Sequence, residues 1–160
     1  IWCPNVINDT DDARLERYYP GNDYVDWLCM DGYNWGTNPA KPDKWKSFSN
    51  VFGETYARLR KLAPDEPIMI GEVSATEAGG SKADWIGKML EDELPNDFSA
   101  VKALVWFNWN TDGMDWAIES SQSAQEAFAH GIDSSYYSGG EFGEIDTAPI
   151  KPPKAASQGE

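Results

Sequence analysis

The side chains that could do chemistry in this sequence are carboxylates, amides and aromatic rings. Two cysteines and one histidine among 160 residues are too few for a disulfide scaffold and lack the spacing of a zinc site. Tryptophan, tyrosine and phenylalanine together make up 13% of the chain. Sugar rings stack their flat C–H faces on aromatic rings, while carboxylates and amides bind sugar hydroxyls. The composition therefore favours a carbohydrate partner and proton-transfer or carboxylate chemistry, without a metal or a cofactor.

Charge and hydropathy exclude two other classes of partner. Lysine and arginine number 13 against 27 aspartates and glutamates, which gives a net charge of −14. A chain so acidic repels the phosphate backbone of nucleic acids. No run of 18 apolar residues occurs, so the sequence predicts no membrane-spanning helix.

The candidate residues follow short apolar segments that have the character of buried parallel strands. These predicted strands are residues 2–7, 24–30, 67–73 and 101–108. The residues at or just beyond their carboxyl ends are Asn5, Asp31, Tyr33, Asn34, Trp35, Glu72, Trp106, Asn108 and Trp109. Because the carboxyl ends of parallel strands meet at one edge of a sheet, we expect these side chains to share a rim.

Helical patterns alternate with the strands. They cover residues 9–19, 44–63, 82–94 and 121–129, with Ser81 as a candidate cap and Gly131 as a left-handed helix end. This β-α alternation predicts a parallel sheet with helices packed outside it. Four βα units make half of a (β/α)8 barrel, and the alternative is a small, open doubly wound sheet. Residues 1–146 form the predicted domain, and residues 147–160 a linker or tail rich in Pro, Lys and Ala.

Several segments resemble glycoside hydrolase family 26, the β-mannanase-like hydrolases. The matching segments are IWCPN at 1–5, YYPGNDYVDW at 18–27, DGYNWG at 31–36, PIMIGEV at 67–73, VWFN at 105–108 and DWAIESS at 115–121. They correspond in order to the fifth to eighth strands of that barrel and the entry to its last helix. The resemblance covers about residues 1–131 and implies the carboxyl-terminal half of a (β/α)8 glycosidase.

The resemblance also implies roles for three residues. Glu72 matches the family's nucleophile, Tyr33 matches a tyrosine that hydrogen-bonds the nucleophile, and Trp106 is expected to face the sugar next to the cleaved bond. Retaining glycosidases use two carboxyl groups, one as nucleophile and one as acid/base. The rival interpretations are a solvated glutamate closing a strand, a buried structural tyrosine and a tryptophan in the core.

The remaining candidates carry weaker signals. Trp35, Asn34, Asn108 and Asp31 are candidate sugar contacts, although Asp31 before Gly32 also suits a turn. Cys3 and Cys29 fall on adjacent predicted strands and are most simply buried thiols, with a disulfide as the alternative.

The family's acid/base glutamate belongs to a His-Glu motif after the fourth strand, and this sequence contains no His-Glu pair. The expected partner is therefore a missing amino-terminal half-barrel or a second copy of the chain. The resemblance implies a retaining endo-glycosidase acting on a β-linked polysaccharide, with β-1,4-mannan as the leading substrate. The alternative is a non-catalytic carbohydrate-binding or structural half-barrel. Secretion is expected because polysaccharides are too large to enter cells.

Overall fold

The computed structural model describes residues 1–7, 14–38 and 44–137. Its centre is a parallel sheet of three strands in the order β1 (Leu28–Asn34), β2 (Ile68–Ala75) and β3 (Val101–Trp106). Residues 1–7 run parallel to the outer edge of β1, bridged through Trp2 with Leu28 and Asn5 with Asp31. The predicted α/β class and the order of its parallel segments are confirmed.

The α-helices overlap the predicted ranges 44–63, 82–94 and 121–129, with shifted ends. They are α1 (Phe48–Leu62), α2 (Lys82–Lys88), α3 (Leu94–Asp97) and α4 (Gln122–Ile132). A π-helical turn, Met89–Glu93, joins α2 to α3. The predicted cap is confirmed, since the Ser81 hydroxyl accepts the backbone N–H of Asp84. No helix in the described ranges combines the length and apolarity needed to cross a bilayer.

Gly131 does not end the last helix, and that prediction is wrong. The glycine lies inside α4, which runs on to Ile132 and ends at Asp133 in the ordinary right-handed conformation. A Cβ placed on Gly131 would lie 2.7 Å from Leu90 Cδ1. The glycine therefore allows α4 to approach the π-helical turn closely, and its freedom to adopt a positive φ is not used.

The second predicted strand is displaced along the chain. It was expected at residues 24–30, whereas β1 covers Leu28–Asn34, and Tyr24 ends a 3-10 turn with 80% of its surface exposed. Asp31, Tyr33 and Asn34 are therefore strand residues and do not follow the strand. Of the predicted helix at 9–19, residues 9–13 lie outside the described part, and Leu15–Arg17 form a 3-10 turn. The predicted tail at 147–160 also lies outside the described residues.

The hydrophobic core fills the space between the sheet and the helices. Strand residues with fully buried side chains meet the apolar faces of α1, α2 and the π-helical turn. The fully buried members include Leu28, Met30, Phe48, Phe52, Leu59, Ile68, Ile70, Val73, Ile86, Met89 and Leu90. We call this side of the sheet the helix face. The other side carries Cys29, Asp31, Tyr33, Met69 and Glu72, and we call it the site face.

Candidate active site

One extra residue in β2 decides which way Glu72 points. Side chains alternate along a strand, so a regular β2 would place residue 72 on the helix face with Ile68 and Ile70. The register breaks that alternation: Met30 pairs with Ile70, but the next residue, Asp31, pairs with Glu72. Gly71 is therefore the additional residue of a β-bulge.

The register with β3 shows the same insertion. Ile70 pairs with Leu104 and Val73 with Trp106, so three steps along β2 match two along β3. After the bulge, fully buried Val73 belongs to the helix face and Glu72 lies opposite it. A shift of one residue has moved a carboxylate out of the apolar core.

Glycine is needed at the bulge because its surroundings are full. A Cβ on Gly71 would lie 2.6 Å from Cys29 Sγ and 2.7 Å from Asp31 Oδ1. Such distances are shorter than van der Waals contact, so any larger side chain must displace one of these groups. The backbone of β2 can approach β1 closely here only because residue 71 has no side chain.

Glu72 accepts a hydrogen bond from the Tyr33 hydroxyl through Oε2. Burial raises the pKa of the Tyr33 phenol, and the hydrogen bond to Glu72 raises it further. Tyr33 therefore remains a protonated donor throughout the ordinary pH range. The predicted tyrosine–carboxylate pair is present in the structure, while the catalytic roles assigned to it stay a prediction.

A second carboxyl group, Asp31, lies directly across the ladder from Glu72. Burial raises the pKa of Asp31 above its usual value, and the negative charge of Glu72 raises it further. Desolvation and a nearby like charge both disfavour the ionised form. The site face thus holds two carboxyl groups side by side, one of them bonded to a tyrosine.

Aromatic rings surround Tyr33. Its ring centroid lies 5.1 Å from that of Trp116, 5.7 Å from Phe107 and 5.8 Å from Trp35. The structure therefore brings the predicted Trp35 next to the Tyr33–Glu72 pair. Phe107 and Trp116 were missed as site residues. Phe107 could have been found from strand alternation, since it follows Trp106, whereas Trp116 lies in a loop without any period.

Trp106 lies on the helix face, which contradicts its predicted sugar contact. Its ring packs against Trp85 of α2 and Phe128 of α4, at centroid distances of 6.3 and 5.7 Å. Its indole N–H donates to the carbonyl of Trp116 at 2.9 Å. The alternative interpretation, core packing, is the correct one. Trp109, by contrast, is 70% exposed in the loop after β3.

The two candidate asparagines form hydrogen bonds within the protein. Asn34 is only 1% exposed, and its Oδ1 accepts the N–H groups of Gly36 and Lys46. Exposed Asn108 donates to Glu119 Oε2 at 3.0 Å and accepts the N–H of Ile118 at 2.6 Å. Asn34 therefore shapes the loop after β1 and is too buried to reach a sugar, and Asn108 holds the loop after β3.

Cys3 and Cys29 form a disulfide, so the prediction of two buried thiols is wrong. The bond links residues 1–7 to β1, and Cys3 is exposed. Asp31 Oδ1 lies 3.3 Å from Cys3 Sγ, which is a packing contact because a disulfide sulfur carries no proton. These three side chains cluster closely enough to hold a metal ion, but the bonded sulfurs lack the thiolate charge that a metal requires.

The parallel α/β fold and a tyrosine-bonded carboxylate among aromatic rings suit a carbohydrate-active enzyme, and comparison with known proteins points to the same class. No protein-family profile matches the chain. The chain is similar to a glycoside hydrolase, Endoglucanase H of Acetivibrio thermocellus, with 38% identity over 130 residues. The similarity covers 81% of this chain but only 14% of that protein. It supports a glycosidase in general and does not single out family 26.

Proposed function

We propose that this chain is the carboxyl-terminal half of a (β/α)8 retaining endo-glycosidase in which Glu72 is the nucleophile. The observation that carries the proposal is the hydrogen bond from Tyr33 to Glu72 on the site face, beside Asp31. A carboxylate placed at a sheet bulge, held by one donor and lined by aromatic rings, suits attack on a sugar carbon. Similarity to an endoglucanase favours a β-glucan over the mannan expected from the sequence.

In this proposal Glu72 attacks the anomeric carbon and forms a glycosyl ester, while an acid protonates the departing oxygen. The residue that served as the acid then acts as the base toward a water molecule, which hydrolyses the ester with overall retention. The Tyr33 hydroxyl engages Oε2, which leaves Oε1 of Glu72 as the attacking atom. Trp35 and Phe107 beside Tyr33 offer apolar surface to the sugar ring.

The acid/base glutamate is proposed to come from an amino-terminal half-barrel. Among the described residues, no strand pairs with the outer edge of β3. A groove of about 900 Å³ follows that edge, bounded by Leu104, Phe128 and Tyr137, and Val105 of β3 is 45% exposed. An unpaired edge and an exposed apolar side chain suit a further parallel strand. Two copies of this chain would close a sheet but would bring together two equivalent Glu72 residues and no acid/base.

The test uses the full-length protein that contains this chain and an activated 2-deoxy-2-fluoro glycoside as a trap. Attack by the nucleophile should form a stable ester, and peptide mass mapping should place the sugar on Glu72. A label on another residue would overturn the assignment of Glu72. Binding of the polysaccharide without any label or turnover would instead support the non-catalytic carbohydrate-binding alternative.

The substrate is identified by a panel of polymers. Initial rates on β-1,4-mannan, mixed-linkage β-glucan, cellulose and β-xylan should favour a β-glucan, with oligosaccharide products longer than disaccharides if the action is endo. The highest rate on mannan would restore the expectation from the sequence.

Secretion is proposed on two grounds, the polymeric substrate and the Cys3–Cys29 disulfide. Disulfides persist in oxidising compartments and are rare in the cytosol. Alkylation of the native protein, taken from its natural location, should leave both cysteines unmodified until a reductant is added.

A further inference from the structure

Lys82 is buried at the start of α2, with 0% of its surface exposed. Its ammonium group donates to the carbonyls of Asp115 and Ala117, both at 2.7 Å, and to the Ser120 hydroxyl at 2.9 Å. All three of its protons are thus used. Burial lowers the pKa of Lys82, although the charges of Asp115 and Glu77 oppose that change.

The position of this lysine is unfavourable for the helix itself. A cation in the first turn of a helix opposes the helix dipole, and a buried ammonium loses its hydration. Asp84 in the same first turn favours the helix dipole, but no hydrogen bond to the Lys82 ammonium comes from α2 itself. The compensation comes from the loop that follows β3, to which all three hydrogen bonds go.

That loop holds Trp116 between the two carbonyls bound by Lys82. The carbonyl of Trp116 itself accepts hydrogen bonds from Ser74 Oγ at 2.8 Å and Trp106 Nε1 at 2.9 Å. Three successive carbonyls, 115 to 117, therefore bind side chains of α2, β2 and β3. This anchoring fixes the backbone from which the Trp116 indole projects.

The Trp116 indole in turn supports the site. It is only 1% exposed, and its ring centroid lies 5.1 Å from that of Tyr33 and 4.9 Å from that of Trp35. Tyr33 is the residue that donates to Glu72. A continuous series of contacts thus leads from Lys82 through Trp116 and Tyr33 to the Glu72 carboxylate.

We infer that Lys82 is a positioning residue, which fixes the loop carrying Trp116 and thereby the orientation of Tyr33 toward Glu72. The inference rests on the proposed function of Glu72. Lys82 forms no hydrogen bond to a side chain of the site face, and the route from it to the Glu72 carboxylate runs through Trp116 and Tyr33. Its removal should then matter only while Tyr33 can donate its hydrogen bond.

The experiment is a double-mutant cycle on the full-length protein, combining Lys82→Met with Tyr33→Phe. Both kcat and KM are measured on the preferred polysaccharide, with active sites titrated by the fluoro-glycoside trap. Lys82→Met should lower kcat at least about 10-fold with KM changed less than about twofold. In the Tyr33→Phe background the same substitution should lower kcat by less than about twofold. The control is Lys88→Met, an exposed lysine of the same helix, which should leave kcat unchanged.

An equal loss of kcat in both backgrounds, or no loss at all, would overturn the inference, because a merely structural lysine acts independently of Tyr33. If Lys82→Met does not fold, Ser120→Ala takes its place in the cycle. This variant removes one hydrogen-bond acceptor of the Lys82 ammonium and keeps the lysine. Its loss of kcat should be about twofold to threefold and should also disappear in Tyr33→Phe. Glu72→Gln forms a separate arm: full activity there would refute the proposed function, whatever the cycle shows.

Discussion

The two faces of the sheet are built from the same strands but have opposite chemistry. The helix face is apolar and fully buried, with Ile68, Ile70 and Val73 in β2. The site face of that strand carries Met69 and Glu72, and β1 adds Asp31 and Tyr33. The extra residue at Gly71 separates the two sets. Position within a strand therefore does not fix the face of a residue, because one insertion reverses the assignment of every residue after it.

The largest expected effect tests whether the site face is catalytic. Glu72→Gln removes the charge of the proposed nucleophile and keeps the volume, so kcat of the full-length protein should fall at least about 10³-fold, or about 4 kcal/mol of activation free energy. Glu54→Gln, at an exposed position on α1, is the control and should keep wild-type kcat. Steady-state rates on the preferred β-glycan provide the measurement. A loss below tenfold would remove Glu72 from the mechanism.

The next prediction compares neighbouring residues on the two faces. Ile70→Ala leaves a cavity in the core and should lower the free energy of unfolding by about 2–5 kcal/mol. Met69→Ala, on the partly buried site face, should cost less than about 1.5 kcal/mol. Urea denaturation followed by circular dichroism measures both. Equal losses would show that the site face is packed as tightly as the helix face.

The bulge itself can be tested with a matched pair of glycines. Gly71→Ala places a Cβ against Cys29 Sγ and Asp31 Oδ1, and should lower the free energy of unfolding by about 1–3 kcal/mol. It should also lower kcat, because Glu72 is the next residue. Gly53→Ala lies in α1 with nothing near the new Cβ, and should raise stability by about 0.5–1 kcal/mol. An unchanged stability for Gly71→Ala would contradict the crowded bulge.

The smallest effect concerns Asp31 and depends on pH. Its pKa is raised in the folded protein above 3.8, so the folded state disfavours the ionised form. Protonated Asp31 therefore contributes to the stability of the folded protein. This contribution is fully present below pH 3.8 and is lost as the pH rises through the pKa of Asp31 in the folded state. Asp31→Asn should therefore be more stable than wild type at pH 7, by less than about 1 kcal/mol because the carboxyl group is only partly buried. Denaturation at pH 7 and pH 4 should show this difference shrinking in acid, and a constant difference would contradict it.

The sequence predicted the order of the elements because hydrophobic periodicity records burial directly. The stripe of α1 and the Ser81 cap are local signals, and both appear where expected. The start of β1 was misplaced because Tyr24 and Val25 have strand-like side chains but belong to a turn and its exit. Local propensity cannot show which apolar residues find a partner strand.

The site was only partly predictable for a related reason. The Tyr33–Glu72 pair was anticipated through a family resemblance, since a register between distant strands leaves no local trace. Trp106 was predicted to face the sugar, but it lies on the helix face. Extra residues in β2 and β3 set the register between the two strands, and the sequence of one strand does not reveal them. Trp116 and the Lys82 anchor depend on loop contacts between residues more than 30 positions apart, which no periodic pattern reports.

The outer edge of β3 has one further consequence. Between Val101 and Ala103, which pair with Ile68 and Met69, the strand carries an extra residue, Lys102. A bulged edge with a lysine is a poor template for an identical strand, and copies with a net charge of −14 repel one another in dilute buffer. Dimers that pair through this edge should therefore accumulate with added salt, which screens the repulsion between copies. The partner strand proposed for this edge would need an irregularity of its own to match the bulge.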